Sequence, residues 1–213
     1  EPRPDVALGL SVRAVEELPD DDSLWDRAER LARALDKPDL VGGAYERLLA
    51  RGADASGGAT SDPAGLRKVS HRAVDFYEEW YDEDRSLELL SKLLLRDPEW
   101  AFERLKLALS TASRWGDLFA LYDARLAEAA DDAARAEILE EASQVARDFA
   151  GDAARAIGYL ERLAALRPAD ARVDAALERL YEREGLRRQL ISLLSARLAG
   201  MAGDEAQLLR ARI

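Results

Sequence analysis

The sequence has no cysteine and no asparagine, one methionine, and a single histidine, His71, in 213 residues. Without cysteine there is no disulfide, no thiolate metal site and no cysteine nucleophile, and redox chemistry gives no clue to the compartment. Basic charge is also short: 31 lysines and arginines face 42 aspartates and glutamates, a net charge of −11. That balance opposes a nucleic-acid backbone as ligand, because such binding draws on a basic stripe that releases counterions. No apolar run approaches the roughly 18 residues of a membrane-spanning helix. The chain starts at Glu1 with no signal-peptide pattern and no methionine, so further segments are expected beyond its ends. These absences leave the compartment open, with a soluble, cytoplasmic segment favoured, and predict no cofactor and no membrane insertion.

What is present predicts helices. Hydrophobic residues make up 48% of the chain, enough for an ordinary core, and the recurring alanine, leucine, arginine and glutamate are strong helix formers. Only four of the 31 basic residues are lysine, a bias that, with so much alanine, suggests a GC-rich bacterial genome. The first apolar pattern, Val6, Leu10, Ala14 and Leu18, has helical spacing and stops at Pro19. Asp20, Asp21, Asp22 and Ser23 offer an N-cap to a second helix whose face is Trp25, Ala28, Leu31 and Leu35. Pro38 opens a third helix through Val41, Tyr45, Leu48 and Leu49, ending near Arg51. Residues 52–62, GADASGGATSD, have turn-forming composition and no periodicity, which predicts a flexible loop between N-terminal helices at 1–51 and a repeat array at 63–213.

Beyond Pro63 a face of Leu66, Val69, Ala73, Phe76 and Trp80 resumes the helical pattern. Pro98 starts a helix through Phe102, Leu105 and Leu109; RWGD at 114–117 reads as a short turn; Asp131 and Asp132 cap a helix through Ile138, Leu139, Ala142, Val145 and Phe149. Val173, Leu177, Leu180 and Tyr181 follow, with Gly185 as a C-terminal break. Two of these segments are copies. RSLELLSKLLLRDP at 85–98 returns 70 residues later as RAIGYLERLAALRP at 155–168, with Arg85 matching Arg155, Leu87 Ile157, Leu90 Leu160, Leu93 Leu163 and Pro98 Pro168. LFALYDARLA at 118–127 is echoed by LISLLSARLA at 190–199. The closing Gln207, Leu208 and Leu209 resemble the Glu137, Ile138 and Leu139 start of a helix, so the chain is expected to stop inside a repeat.

A unit of about 70 residues holding four helices is two helix–turn–helix units of about 35, and this resembles the tetratricopeptide repeat. The match is best at GDAARAIGYLERLAALRP, 151–168, with a Gly-Asp turn, small Ala156, large Leu160 and terminal Pro168; YDEDRSLELLSKLLLRDP, 81–98, repeats it with Ser86 at the small position. Small residues let the second helix approach the first, large ones fill the groove, and proline stops the helix. The first-helix signature of the family survives only as fragments such as Leu139, Ala142, Ser143 and Ala146. The resemblance implies an all-α, right-handed α-solenoid of antiparallel helix pairs with about 12 helices. It also implies a groove, lined by first helices, that binds peptides or protein surfaces. In phase with that groove lie Arg67, Ser70 and Tyr77 on one helix and Glu137, Glu140, Gln144 and Arg147 on another. The family's carboxylate clamp uses asparagine and is not carried over.

The remaining candidates have plainer readings. His71 lies off the apolar face of its helix and lacks a partner motif, so a structural or surface role is expected rather than general-base or metal chemistry. The acidic clusters at 20–22, 82–84 and 131–132 lack calcium-loop spacing and read as helix caps. Trp25, Trp80 and Trp115 read as core packing, with Trp100 left open as a stacking platform. Gly42, Gly43 and Gly158 read as points of close helix approach. The function expected is a non-enzymatic scaffold or adaptor binding a peptide or protein. The alternatives are an RNA reader of the pentatricopeptide kind, which the acidic balance opposes, or a regulatory or assembly arm of a larger enzyme or sensor. Self-association through an apolar terminal edge is a further expectation.

Overall fold

The computed structural model describes residues 3–51, 63–168 and 170–199. Over them the chain forms eleven helices and no strand: α1 (Pro4–Glu17), α2 (Asp22–Leu35), α3 (Pro38–Arg51), α4 (Pro63–Trp80), α5 (Glu83–Leu93), α6 (Pro98–Thr111), α7 (Trp115–Glu128), α8 (Asp132–Asp148), α9 (Ala153–Leu166), α10 (Ala171–Arg183) and α11 (Arg187–Ala199). The fold is all-α. The loop expected at 52–62 and the last pattern at 207–209 lie outside the described residues.

Local chemistry sets these boundaries. Prolines stand at the first position of α1, α3, α4 and α6, where the missing N–H has no helical partner to lose. Aspartates cap five others: Asp21, Asp82, Asp131, Asp152 and Asp170 each accept a backbone N–H from the first turn of α2, α5, α8, α9 and α10. The acidic clusters are thus caps, as read. Gly151 and Gly185 take positive φ, +67° and +69°, in the turns before α9 and after α10. RWGD does not form the expected turn: Ser113 at φ 56° reverses the chain and the helix already begins at Trp115.

Contacts divide the chain into two units, Glu1–Ala108 and Leu109–Ile213. The helices at 3–51 share the first unit with α4 and α5. In the first unit α1, α2 and α3 pack mutually, α3 packs on α4 and α4 on α5. Its centre is Trp25 lying flat on Tyr45, with ring centroids 4.1 Å apart, and Phe76 beyond at 5.6 Å. The Trp25 indole N–H donates to the Pro19 carbonyl at 2.8 Å, so the buried ring leaves no orphan donor.

In the second unit α7, α8, α9, α10 and α11 pack in chain order. α8 packs on α9, and both helices bury small residues, Ala136, Ala142, Ser143 and Ala146 on α8 and Ala156 on α9. Leu139 on α8 and Leu160 and Leu163 on α9 are buried on the same two helices. Each such leucine contributes about 1.5–3 kcal/mol by leaving water.

Three expectations about faces are corrected. α1 buries Leu8, Val12 and Val15, and exposes Val6, Leu10 and Leu18, the stripe read as its core face. Both stripes have helical spacing, and tertiary packing chose the other. Phe149 is 71% exposed because α8 ends just before it. Of the three glycines, only Gly42 meets another helix's neighbour, where an added methyl would run into the Tyr81 hydroxyl; Gly43 faces only Arg47 of its own helix, and Gly158 has open space.

Candidate functional site

Along α2, α4 and α6 of the first unit, arginine forks reach from one helix to carboxylates of the next. Arg72 donates to both oxygens of Glu29, at 2.8 and 2.9 Å, and to Asp26 at 2.5 Å. Tyr45 donates its hydroxyl to the same Glu29 at 2.6 Å, so a nearly buried carboxylate is satisfied by two neighbours. Burial works against the Arg72 cation, but the bonds to Glu29 and Asp26 outweigh it and raise its pKa; burial and then the Glu29 hydrogen bond push the Tyr45 phenol up. Arg33 forks onto Glu79, and Arg104 onto Glu78 and Asp75. Lys68 completes the set with Asp22 at 2.6 Å. The charges on this face are spent within the chain.

At the start of α4 a second constellation joins residues that are far apart in sequence. Arg67 donates to both oxygens of Asp97, at 2.5 and 2.6 Å, and His71 Nε2 hydrogen-bonds Asp97 Oδ2 at 3.1 Å. The His71 ring stacks on Trp100 with centroids 3.8 Å apart. Asp97 is nearly buried, and the Arg67 guanidinium beside it, helped by His71, holds its pKa down to about 2. Trp100 therefore is a stacking platform, but its occupant is a histidine of the same chain.

A cleft of about 500 Å³ opens between α3, α4 and α5. Leu49, Leu89 and Leu93, all nearly buried, form its apolar floor. Arg85, Lys92 and Arg96 stand around it with Glu46 and Glu88. Arg85 lies over the Tyr81 ring at 3.9 Å, and Tyr77 donates its hydroxyl to Glu46 at 2.7 Å. Burial raises both phenols, Tyr81 to about 12, and Asp39 and Glu46 add to it. Sequence periodicity gave no sign of this cleft, because its floor comes from separate helices. The signal that could have found it is the clustering of Arg85, Lys92 and Arg96 on the repeated segment 85–98.

The residues placed in the expected groove are distributed unevenly. Arg67 is exposed but locked to Asp97. Ser70 and Tyr77 are each 3% exposed, Ser70 donating to the Leu66 carbonyl and Tyr77 lining the cleft between α3, α4 and α5. On α8 of the second unit, Glu137 and Gln144 are exposed, Glu140 is paired with Arg167 at 2.9 Å, and Arg147 with Asp148 at 2.7 Å. Among the described residues no cluster of histidines and carboxylates is fit to hold a metal, and no helix is long and apolar enough to cross a membrane.

The repeated helices sit in equivalent ways. Arg85 on α5 lies 3.9 Å from Asp39 and from Glu46 on α3 and covers Tyr81; Arg155 on α9 lies 3.9 Å from Asp123 on α7 and covers Phe119, its carbon 4.7 Å from the ring centre. Such reuse of one side chain for one job defines a helical-repeat architecture. No protein-family model matches the chain, and no curated protein does. Two solved structures of a putative kinesin light chain with nearly identical TPR-like repeats from Podosopora anserina, the second carrying one substitution, are similar to it. Each is 15% identical over a match that spans 94% of this chain and 95% of the other, with TM-scores of 0.41 and 0.39.

Proposed function

We propose that this chain is a non-enzymatic interaction segment, a scaffold or adaptor whose repeated helix pairs hold a peptide or a folded protein. The observation that supports it most is the repetition itself, with Arg85 and Arg155 seating equivalent helices on the pair before them. Repeats of this kind build extended surface without building a pocket for chemistry. On α8 the partner-facing positions are Glu137 and Gln144, flanked by Glu140, ion-paired with Arg167, and Arg147, ion-paired with Asp148. On α4, Arg67 contributes at the edge.

A photo-crosslinking amino acid placed at Glu137 or Gln144, with exposed Ala124 as control, tests this. The expected result is a protein adduct at 137 and 144 that disappears when Glu140→Arg and Arg147→Glu are introduced. Adducts only with RNA would replace the reading by that of a nucleic-acid binder, and adducts no different from those at 124 would remove α8 from the interface.

A further inference from the structure

The interaction reading names no partner chemistry, whereas the cleft between α3, α4 and α5 has a definite one. We propose that this cleft binds a short acidic peptide segment that inserts one apolar side chain, an inference that rests on the interaction reading.

The floor of Leu49, Leu89 and Leu93 offers an apolar seat open to solvent through about 500 Å³, the size of a pocket that takes one or two side chains. Its polar lining holds three cations against two carboxylates in a chain of net charge −11, so the cleft is a local reversal of sign.

The two carboxylates are already engaged. Glu46 accepts the Tyr77 hydroxyl and faces Arg85, and Glu88 pairs with Lys92 at 2.8 Å. The Lys92–Glu88 pair joins two well-exposed side chains one turn apart, a weak kind of pair that an incoming carboxylate readily replaces. Arg96 has no ion pair among the described residues. Lys92 lies in the last turn of α5 and Arg96 just beyond its end, where both suit the negative dipole end of the helix.

This differs from the arginine forks of α2, α4 and α6, where every guanidinium named above is bidentate or shared between two carboxylates. A lysine-rich segment would meet Arg85, Lys92 and Arg96 and be repelled. A purely acidic one would leave the leucine floor wet.

The test is an unbiased peptide-display selection on the intact chain, with the enriched peptides re-measured by fluorescence anisotropy against a Lys92→Glu, Arg96→Glu variant and, separately, Ala50→Glu at the mouth. All three positions are exposed, and circular dichroism checks that each variant keeps its helices. The expected peptides carry carboxylates around one large apolar residue, bind about tenfold more weakly to either variant, and lose affinity as salt is added. Enriched peptides that bind both variants as well as the parent would overturn the cleft while leaving the interaction reading intact. No enrichment of any peptide, beside positive protein crosslinks on α8, would overturn it in the same way; no enrichment and no crosslinks would remove both.

Discussion

Arg72 and Glu29, 43 residues apart in the chain, form a two-armed ion pair between α4 and α2 with the Tyr45 hydroxyl on the same carboxylate. Replacing Arg72 with methionine leaves that nearly buried carboxylate with the Tyr45 hydroxyl as its remaining hydrogen-bond donor. The expected loss is about 3–5 kcal/mol in urea unfolding, the range for breaking one side of a buried pair. Adding Glu29→Gln to Arg72→Met removes the stranded charge, and the double variant is expected to be more stable than Arg72→Met alone.

Asp97 makes the first unit sensitive to acid. Its carboxyl titrates at about 2 in the folded chain, below the value of about 3.9 in an unfolded one. A lowered folded pKa gives stability that is complete above the unfolded value and is lost as pH falls from about 4 to about 2. Asp97→Asn is expected to be less stable than the parent at neutral pH and nearly equal to it at pH 2, as read by thermal unfolding across the range.

Two adjacent glycines are expected to respond with opposite signs. Gly43→Ala gains helix propensity of up to about 1 kcal/mol and displaces only the flexible end of Arg47. Gly42→Ala gains the same propensity but drives a methyl into the Tyr81 ring, which is held by its bond to Asp39 at 3.0 Å and by Arg85 above it. Thermal midpoints should rise for the first and fall for the second.

Trp25→Phe keeps most of the stack on Tyr45 and deletes the buried hydrogen bond to the Pro19 carbonyl. A loss of about 1–3 kcal/mol is expected, because the carbonyl is left without its donor. Equilibrium unfolding followed by circular dichroism at the helix band measures it.

Pro38, Pro63 and Pro98 were visible in the sequence as helix starts because a proline's fixed φ and missing N–H act within its own turn. The aspartate caps were visible for the same reason. The buried stripe of α1 was not, since Val6 and Leu10 repeat as well as Leu8, Val12 and Val15 do, and only contact with α2 and α3 separates them. Nor was Asp97 legible as the partner of Arg67 and His71: residues 30 and 26 apart meet only after α5 has turned the chain back. His71 was read as structural, and it does bind a structural carboxylate, yet its seat on Trp100 belonged to no periodicity.

The matching positions of Arg85 and Arg155 bear on how such a chain grows. A copied helix that brings its own guanidinium carries a means of docking on whatever hairpin precedes it, provided that hairpin offers one carboxylate and one aromatic ring at the right height. Asp123 with Phe119, and Asp39 with Tyr81 close by, meet that condition with different residues in different places. Lengthening the array then asks little of the neighbouring sequence, which is free to diverge as these two copies have.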